Sequence, residues 1–305
     1  MTSATPDKTH LGILAMITFA MLGPFIDLFA KLTPPEIAIG QVQAARFTIQ
    51  GALLTPIALF MGWAHLPDWC EIRLHLVRAF LVVIATGCFV AALRYMPIAD
   101  ALAIFFIEPL LLTLMGGWIL GESVGPRRII ASLIGFGGAL LIIQPSFQEF
   151  GYAALLPLGT AFCFVFYMLL TRGMAQKIHP VTLQAYTALA AILLIWPVLL
   201  LFDGSDIAAL DPSWPSAYAM WTLLGVGIAA TVSHIFISIA LSLAPAATIA
   251  PLQYLEIVSA TLLGYLFFSD FPDATMLAGM GIIVGSGLFV FSRERKIRTR
   301  PTPPP

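Results

Sequence analysis

Residues 92–143 read ALRYMPIADALAIFFIEPLLLTLMGGWILGESVGPRRIIASLIGFGGALLII, and residues 240–291 read ALSLAPAATIAPLQYLEIVSATLLGYLFFSDFPDATMLAGMGIIVGSGLFVF. Shifted by 148 positions, segment 92–140 falls on 240–288 without a gap. Pro97 meets Pro245, Glu108 meets Glu256, Gly116 meets Gly264, Glu122 meets Asp270 and Gly137 meets Gly285. Eleven of the 49 positions are identical. Shared apolar composition raises such a count, so the proline and glutamate matches carry the weight. Each stretch holds an apolar run, an acidic turn and a glycine-rich apolar run, and a helix needs about 20 apolar residues to cross a bilayer.

Working outward, the earlier segments align at an offset of 141, where Lys31 meets Arg172, Gln43 meets Gln184 and Pro56 meets Pro197. The change of offset places seven extra residues in the loop around 203–215. Apolar spans are expected at 11–32, 36–61, 74–95, 98–119, 127–144, 151–171, 182–202, 216–241, 246–267 and 275–292. The expected fold is an all-α integral membrane protein of ten transmembrane helices, arranged as two five-helix repeats at 11–144 and 151–292. A basic, proline-rich tail follows at 293–305. An odd number of spans per repeat turns the second copy upside down. Inverted repeats around a midplane site are a design of secondary transporters.

Composition agrees. Of 305 residues, 59% are hydrophobic and only 10% are charged, against about 25% charged in a soluble domain. The net charge of −1 provides no basic field for nucleic acid. Cys70, Cys88 and Cys163 form no CxxC pair, so neither a disulfide framework nor a zinc site is indicated. No phosphate-cradling loop is present, and the five histidines at 10, 65, 75, 179 and 234 are scattered rather than clustered as in a membrane-embedded enzyme. Neither a cofactor nor a metal is expected. With the N terminus in the cytoplasm, twelve of the 15 basic residues fall on inner segments, leaving Lys31, Arg46 and Arg94. Basic residues favour the cytoplasmic side, so both termini are expected there, in the inner membrane of a bacterial-type cell. The RERKIRTRP run at 293–301 reads as an anchor beside anionic lipids. The GxxxG pair of Gly281 and Gly285 reads as close helix packing, inside the fold or at a homodimer contact.

The two quoted stretches resemble the drug/metabolite transporter superfamily, specifically its EamA-type members: AL, a proline, a small-residue helix, an acidic turn and a glycine-rich helix. The resemblance extends over nearly the whole chain. It implies ten helices in two inverted repeats around a central cavity, with amino acids, amines, vitamins, sugars or S-adenosylmethionine-like metabolites as cargo. IDLFAK at 26–31 is similar to a branch that includes S-adenosylmethionine and riboflavin carriers. Met168 stands where the second repeat would carry the counterpart of Asp27, so that acid lies outside the symmetric design.

Charged groups inside a membrane cost about 2.5–3.5 kcal/mol each on insertion scales and so need a reason. Glu108 and Glu256, half-way along equivalent spans, are expected to face a shared cavity, attract a cationic or zwitterionic substrate and exchange protons. The competing reading gives them structural hydrogen bonds, more so for Glu108, which precedes Pro109. Asp27 has Lys31 at i+4 as a local ion-pair partner, with Arg46 or a substrate amine as the alternative. Arg46 suits a substrate carboxylate, or partners Asp27 or Glu36. Tyr254 is the repeat counterpart of Phe106, but residues two apart on a helix point about 200° apart, so acid and aromatic share a cavity only if the helix is broken there. Phe105 and Gln253, each three residues before an acid, share its face better. His234 is the histidine deepest in a span, and reads as a hydrogen-bonded packing residue or a proton carrier. The favoured function is transport of a small amine, amino acid or S-adenosylmethionine-like metabolite, the alternative a neutral or aromatic one such as a vitamin or drug.

Overall fold

The computed structural model describes residues 8–121, 125–142 and 151–269, with separate positions between 274 and 289. The described residues form helices and no strand. Helical structure lies on the first nine expected spans. The turn at Glu122, the basic tail and much of the tenth span lie outside the described residues. Gly281 and Gly285 are described as helical, and a Cβ on either would meet nothing within 4 Å, so the close packing expected of this pair inside the fold is not seen among the described residues.

The first span is two helices, α1 (Thr9–Leu22) and α2 (Pro24–Leu32), and the sequence reading had taken it as one. Gly23 donates to the Phe19 carbonyl at 2.7 Å, and Pro24 has no N–H to continue the ladder, so the helix breaks there. α3 (Ile39–Phe60) and α4 (Trp69–Ala92) follow, the latter capped by Asp68, which accepts from the Glu71 amide at 2.7 Å. The expected span 98–119 is also broken, into α5 (Ile98–Phe105) and α6 (Glu108–Leu120). α7 (Pro126–Ile142) completes the first half.

A 3-10 turn at Gly151–Ala154 leads into α8 (Leu155–Ala175), then α9 (Pro180–Leu201) and α10 (Ala217–Leu243). Pro180 opens α9, where a missing N–H costs nothing. α11 (Ala246–Ile249) is one turn, and a 3-10 segment at Ala250–Leu255 joins it to α12 (Glu256–Phe268). α6 and α12 are each 13 residues long and open on a glutamate. Each ends on a left-handed residue, Gly121 at φ 65° and Ser269 at φ 61°.

Among the described residues, six helical segments are long and apolar enough to cross a membrane: Thr9–Leu32, Trp69–Ala92, Gly151–Ala175, Pro180–Leu201, Ala217–Leu243 and Ala246–Phe268. α3 matches them in length but carries Gln41, Gln43, Arg46 and Gln50. Hydroxyls in these segments bond back to their own helix, as Thr18 does to Leu14, Thr171 to Tyr167 and Ser233 to Ala229. That satisfies them where no water is present.

α3 and α9 pair most extensively, with α4 against α8 and α1 against α10 on either side. α1 and α10 meet closely: a Cβ on Gly12 would stand 2.7 Å from the Ala244 Cβ. Small residues at such crossings let backbones approach. Arg94 is exposed and donates to the Ile37 carbonyl at 2.5 Å.

Candidate functional site

The breaks explain how the membrane acids are tolerated. Asp27, Glu108 and Glu256 each occupy the first turn of a half-helix, α2, α6 and α12 respectively. The first turn lies at the positive end of the helix macrodipole, which favours a carboxylate, although no side chain caps these three helices. The backbone is broken ahead of both glutamates: α5 stops at Phe105, and a 3-10 segment precedes Glu256.

A cavity lies where α1, α2, α3, α4, α8, α10 and α12 converge. Asp27, Arg46, His234 and Glu256 line it, with Phe19, Phe89 and Phe164 as aromatic walls and Gln43, Thr86 and Thr160 as neutral polar groups. The glutamate side sits over the break between α1 and α2. A Cβ on Gly23 would be 3.7 Å from Glu256 Oε2, while Oε1 is buried without a hydrogen bond. One turn along, Ser259 donates to the Met21 carbonyl at 2.7 Å and ties α12 to α1. Asp27 interacts electrostatically with both Arg46 and Glu256. Lys31 points elsewhere, with its ammonium 5.2 Å from the centre of the Phe268 ring.

Arg46, only 1% exposed, donates from Nη2 to His234 Nε2 at 2.8 Å. His234 Nδ1 lies 3.1 Å from the Tyr167 hydroxyl. Below it Arg78 is wholly enclosed. It donates to Tyr167 Oη at 3.0 Å, Thr171 Oγ1 at 2.8 Å, the Leu183 carbonyl at 3.0 Å and the Thr187 hydroxyl. Gln184 adds bonds to the His234 carbonyl at 2.9 Å and Ser238 Oγ at 2.6 Å. Gln43, its counterpart in the first half, accepts from Thr86 at 2.6 Å.

The remaining expected site residues stand behind the cavity. Glu108 is fully buried, does not line it, and neither carboxyl oxygen has a hydrogen bond. Gln253 is the polar side chain beside it, likewise unsatisfied. Phe105 packs edge-on against the wall residues Phe89 and Phe164, at 6.0 and 5.8 Å between ring centres. Tyr254 meets its repeat counterpart Phe106 edge-on at 5.5 Å.

The sequence reading missed Arg78, which it counted among cytoplasmic basic residues although it lies more than two turns into α4. An arginine within an apolar window was the available signal. Tyr167, Gln184 and Thr86 carried none strong enough, because their roles depend on contacts across the fold.

A model of the EamA-like transporter family matches residues 10–144 and again 151–292. The chain belongs to this family. It is similar to a riboflavin transporter of Vibrio cholerae serotype O1, 29% identical over 93% of this chain and 94% of that one. It is also similar to an S-adenosylmethionine uptake transporter of Rickettsia prowazekii, 23% identical over 95% of each. A solved crystal structure shares the fold with a TM-score of 0.74 at 20% identity, covering 93% of this chain and 98% of that one. This EamA-family chain is therefore a multi-pass membrane protein. Its family and relatives point to transport of a small metabolite rather than to catalysis.

Proposed function

We propose that the chain is a secondary transporter of a small organic metabolite, working by alternating access between two inverted five-helix repeats. The observation that carries this is the cavity itself: two carboxylates, an arginine, a histidine and three phenylalanines converge on it from helices of both halves. The two separate family matches and the likeness of α6 to α12 support the paired repeats. With both termini cytoplasmic, the cavity faces outward and the Arg78 network closes the cytoplasmic side. Opening inward then requires α4 to part from α8 and α9.

The favoured cargo is a cation or zwitterion of the amine, amino-acid or S-adenosylmethionine type, held by Glu256 and Asp27 with a phenylalanine wall for cation–π contact. Glu108, enclosed behind them, serves as a proton-handling partner in this reading. A second reading is a neutral aromatic vitamin, favoured by the riboflavin transporter among the relatives. Purified protein in proteoliposomes decides between them, by labelled uptake of S-adenosylmethionine, amino acids and riboflavin, each with and without a pH gradient. Uptake of cations or zwitterions that falls at least tenfold in Glu256→Gln and Glu108→Gln supports the first reading. Undiminished uptake in both variants sinks the role of the acids. Uptake of riboflavin alone selects the second reading.

A further inference from the structure

The hydrogen-bonding groups of the cavity are sorted by sign, and the sorting follows from counting protons. A guanidinium only donates, so His234 Nε2 must accept from Arg46. A neutral imidazole then keeps its proton on Nδ1 and donates it to Tyr167 Oη. That oxygen also accepts from Arg78, and Gln184 Nε2 at 3.1 Å is another donor. Every partner of the Tyr167 hydroxyl is thus a donor, and its own hydrogen has no acceptor in the network. Arg46 Nε is buried with no partner either. At and behind the Arg46–His234 wall of the cavity, donors outnumber acceptors.

The other end has acceptors to spare. Glu256 Oε1 is buried and unpartnered, and neither Glu256 nor Asp27 belongs to an ion pair among the described residues. Asp27 lines the same cavity and acts electrostatically on both Arg46 and Glu256. Unmade hydrogen bonds at a buried donor or acceptor cost about 1–3 kcal/mol each. A ligand that completes both ends recovers that cost, and one that completes a single end does not.

Resting on the transport reading above, we propose that the cavity selects amphoteric ligands and holds them in one orientation. A carboxylate or carbonyl oxygen of the ligand accepts from Arg46 Nε, and an ammonium or imide N–H donates to Glu256. Phe89 and Phe164 flank the body of the ligand between those ends. Zwitterions and neutral heterocycles with opposed C=O and N–H groups share this chemistry. Simple amines lack the oxygen and bind poorly, although the carboxylates alone would favour them. Arg46 is then the residue that separates zwitterion from amine.

The test pairs analogues with variants. Binding to the purified protein is measured by thermal shift and by competition, and uptake is measured in proteoliposomes. The probes are S-adenosylmethionine against its decarboxylated form, and riboflavin against N3-methylriboflavin. In the wild type, the form lacking the carboxylate or the imide N–H binds at least tenfold more weakly than its parent. Arg46→Gln abolishes the carboxylate penalty and Glu256→Gln abolishes the N-methyl penalty, each while weakening the parent about tenfold. The wild-type comparison needs no variant to fold. Equal binding of parent and analogue by the wild type overturns the proposal, as do penalties that survive in the matching variants or failure of both parents to bind. The predicted penalties without accumulation in liposomes would leave the oriented site standing and remove the transport reading. Accumulation without the penalties would do the reverse.

Discussion

Arg78 offers a test in which intuition and the structure disagree. Its guanidinium leaves α4 and reaches Tyr167 and Thr171 on α8 and Leu183 and Thr187 on α9, with no carboxylate among its partners. Its carbon lies 4.7 Å from the centre of the Tyr167 ring. Substitution to methionine removes the four bonds, each worth roughly 1 kcal/mol net. It also removes a buried cation that costs about 2.5–3.5 kcal/mol to place in a membrane. No donor is orphaned, since Thr171 still bonds to the Tyr167 carbonyl and Thr187 to that of Leu183. The net loss is therefore about 1 kcal/mol. Substitution to lysine keeps the cation but replaces a planar fork of five donors by three on a single nitrogen, which cannot span all four acceptors. About two of the bonds are lost with nothing recovered, at the same roughly 1 kcal/mol each, a loss of about 2 kcal/mol. Thermal denaturation of detergent-purified protein should rank wild type above Arg78→Met and Arg78→Met above Arg78→Lys. A lysine variant as stable as the wild type, or more stable than the methionine one, would refute the reasoning.

Three further outcomes follow from particular contacts. Gly12→Ala should destabilise by about 1–2 kcal/mol, because the new methyl meets the Ala244 Cβ at 2.7 Å and backbone atoms at 3.1 Å, outweighing the gain in helix propensity. Gly173→Ala, on α8 with nothing within 4 Å, should stabilise slightly, and equal melting temperatures for the two variants would contradict this packing. At the start of α9, His179 stacks on Trp63 at 3.7 Å, and burial holds its pKa below the usual 6.5. The unfolded chain then takes up the proton first as the pH falls, so stability drops on acidification below about 6.5. Quenching of Trp63 fluorescence by the imidazolium should titrate below that value, and a midpoint above it would be inconsistent. Glu108→Gln should leave thermal stability unchanged or raise it by up to about 1 kcal/mol, since neither buried oxygen has a bond to lose; a large fall would reveal a partner for the ionised acid.

Apolar length made the helices readable: the expected spans 182–202 and 216–241 fall on α9 and α10. The breaks at Gly23–Pro24 and after Phe105 were not readable, because membrane helices often carry glycine and proline without breaking. Asp27, Arg46, His234 and Glu256 could be nominated individually, as costly groups in apolar surroundings. Their convergence could not, since Arg46 and His234 are 188 residues apart and meet only through the packing of α3 on α10. Glu108 and Glu256 look equivalent in sequence, yet only Glu256 reaches the cavity. Their helices sit against different neighbours, and that asymmetry belongs to tertiary structure.

The break between α5 and α6 also bears on how the chain enters the bilayer. At eight residues, α5 is about 12 Å long, well short of a hydrocarbon core of about 30 Å. Neither piece can be stably inserted alone, and the insertion machinery responds to summed hydrophobicity rather than to backbone geometry. Residues 98–120 must therefore enter together as one span. Pro109 already denies the Phe105 carbonyl its amide partner, so the weak point is written into the segment itself. Tyr254 and the 3-10 segment around it reach Phe106 and α6 only when the second half of the chain is made, some 148 residues later in synthesis. A chain truncated after residue 142 leaves α6 without these neighbours and should expose Glu108 to membrane quality control.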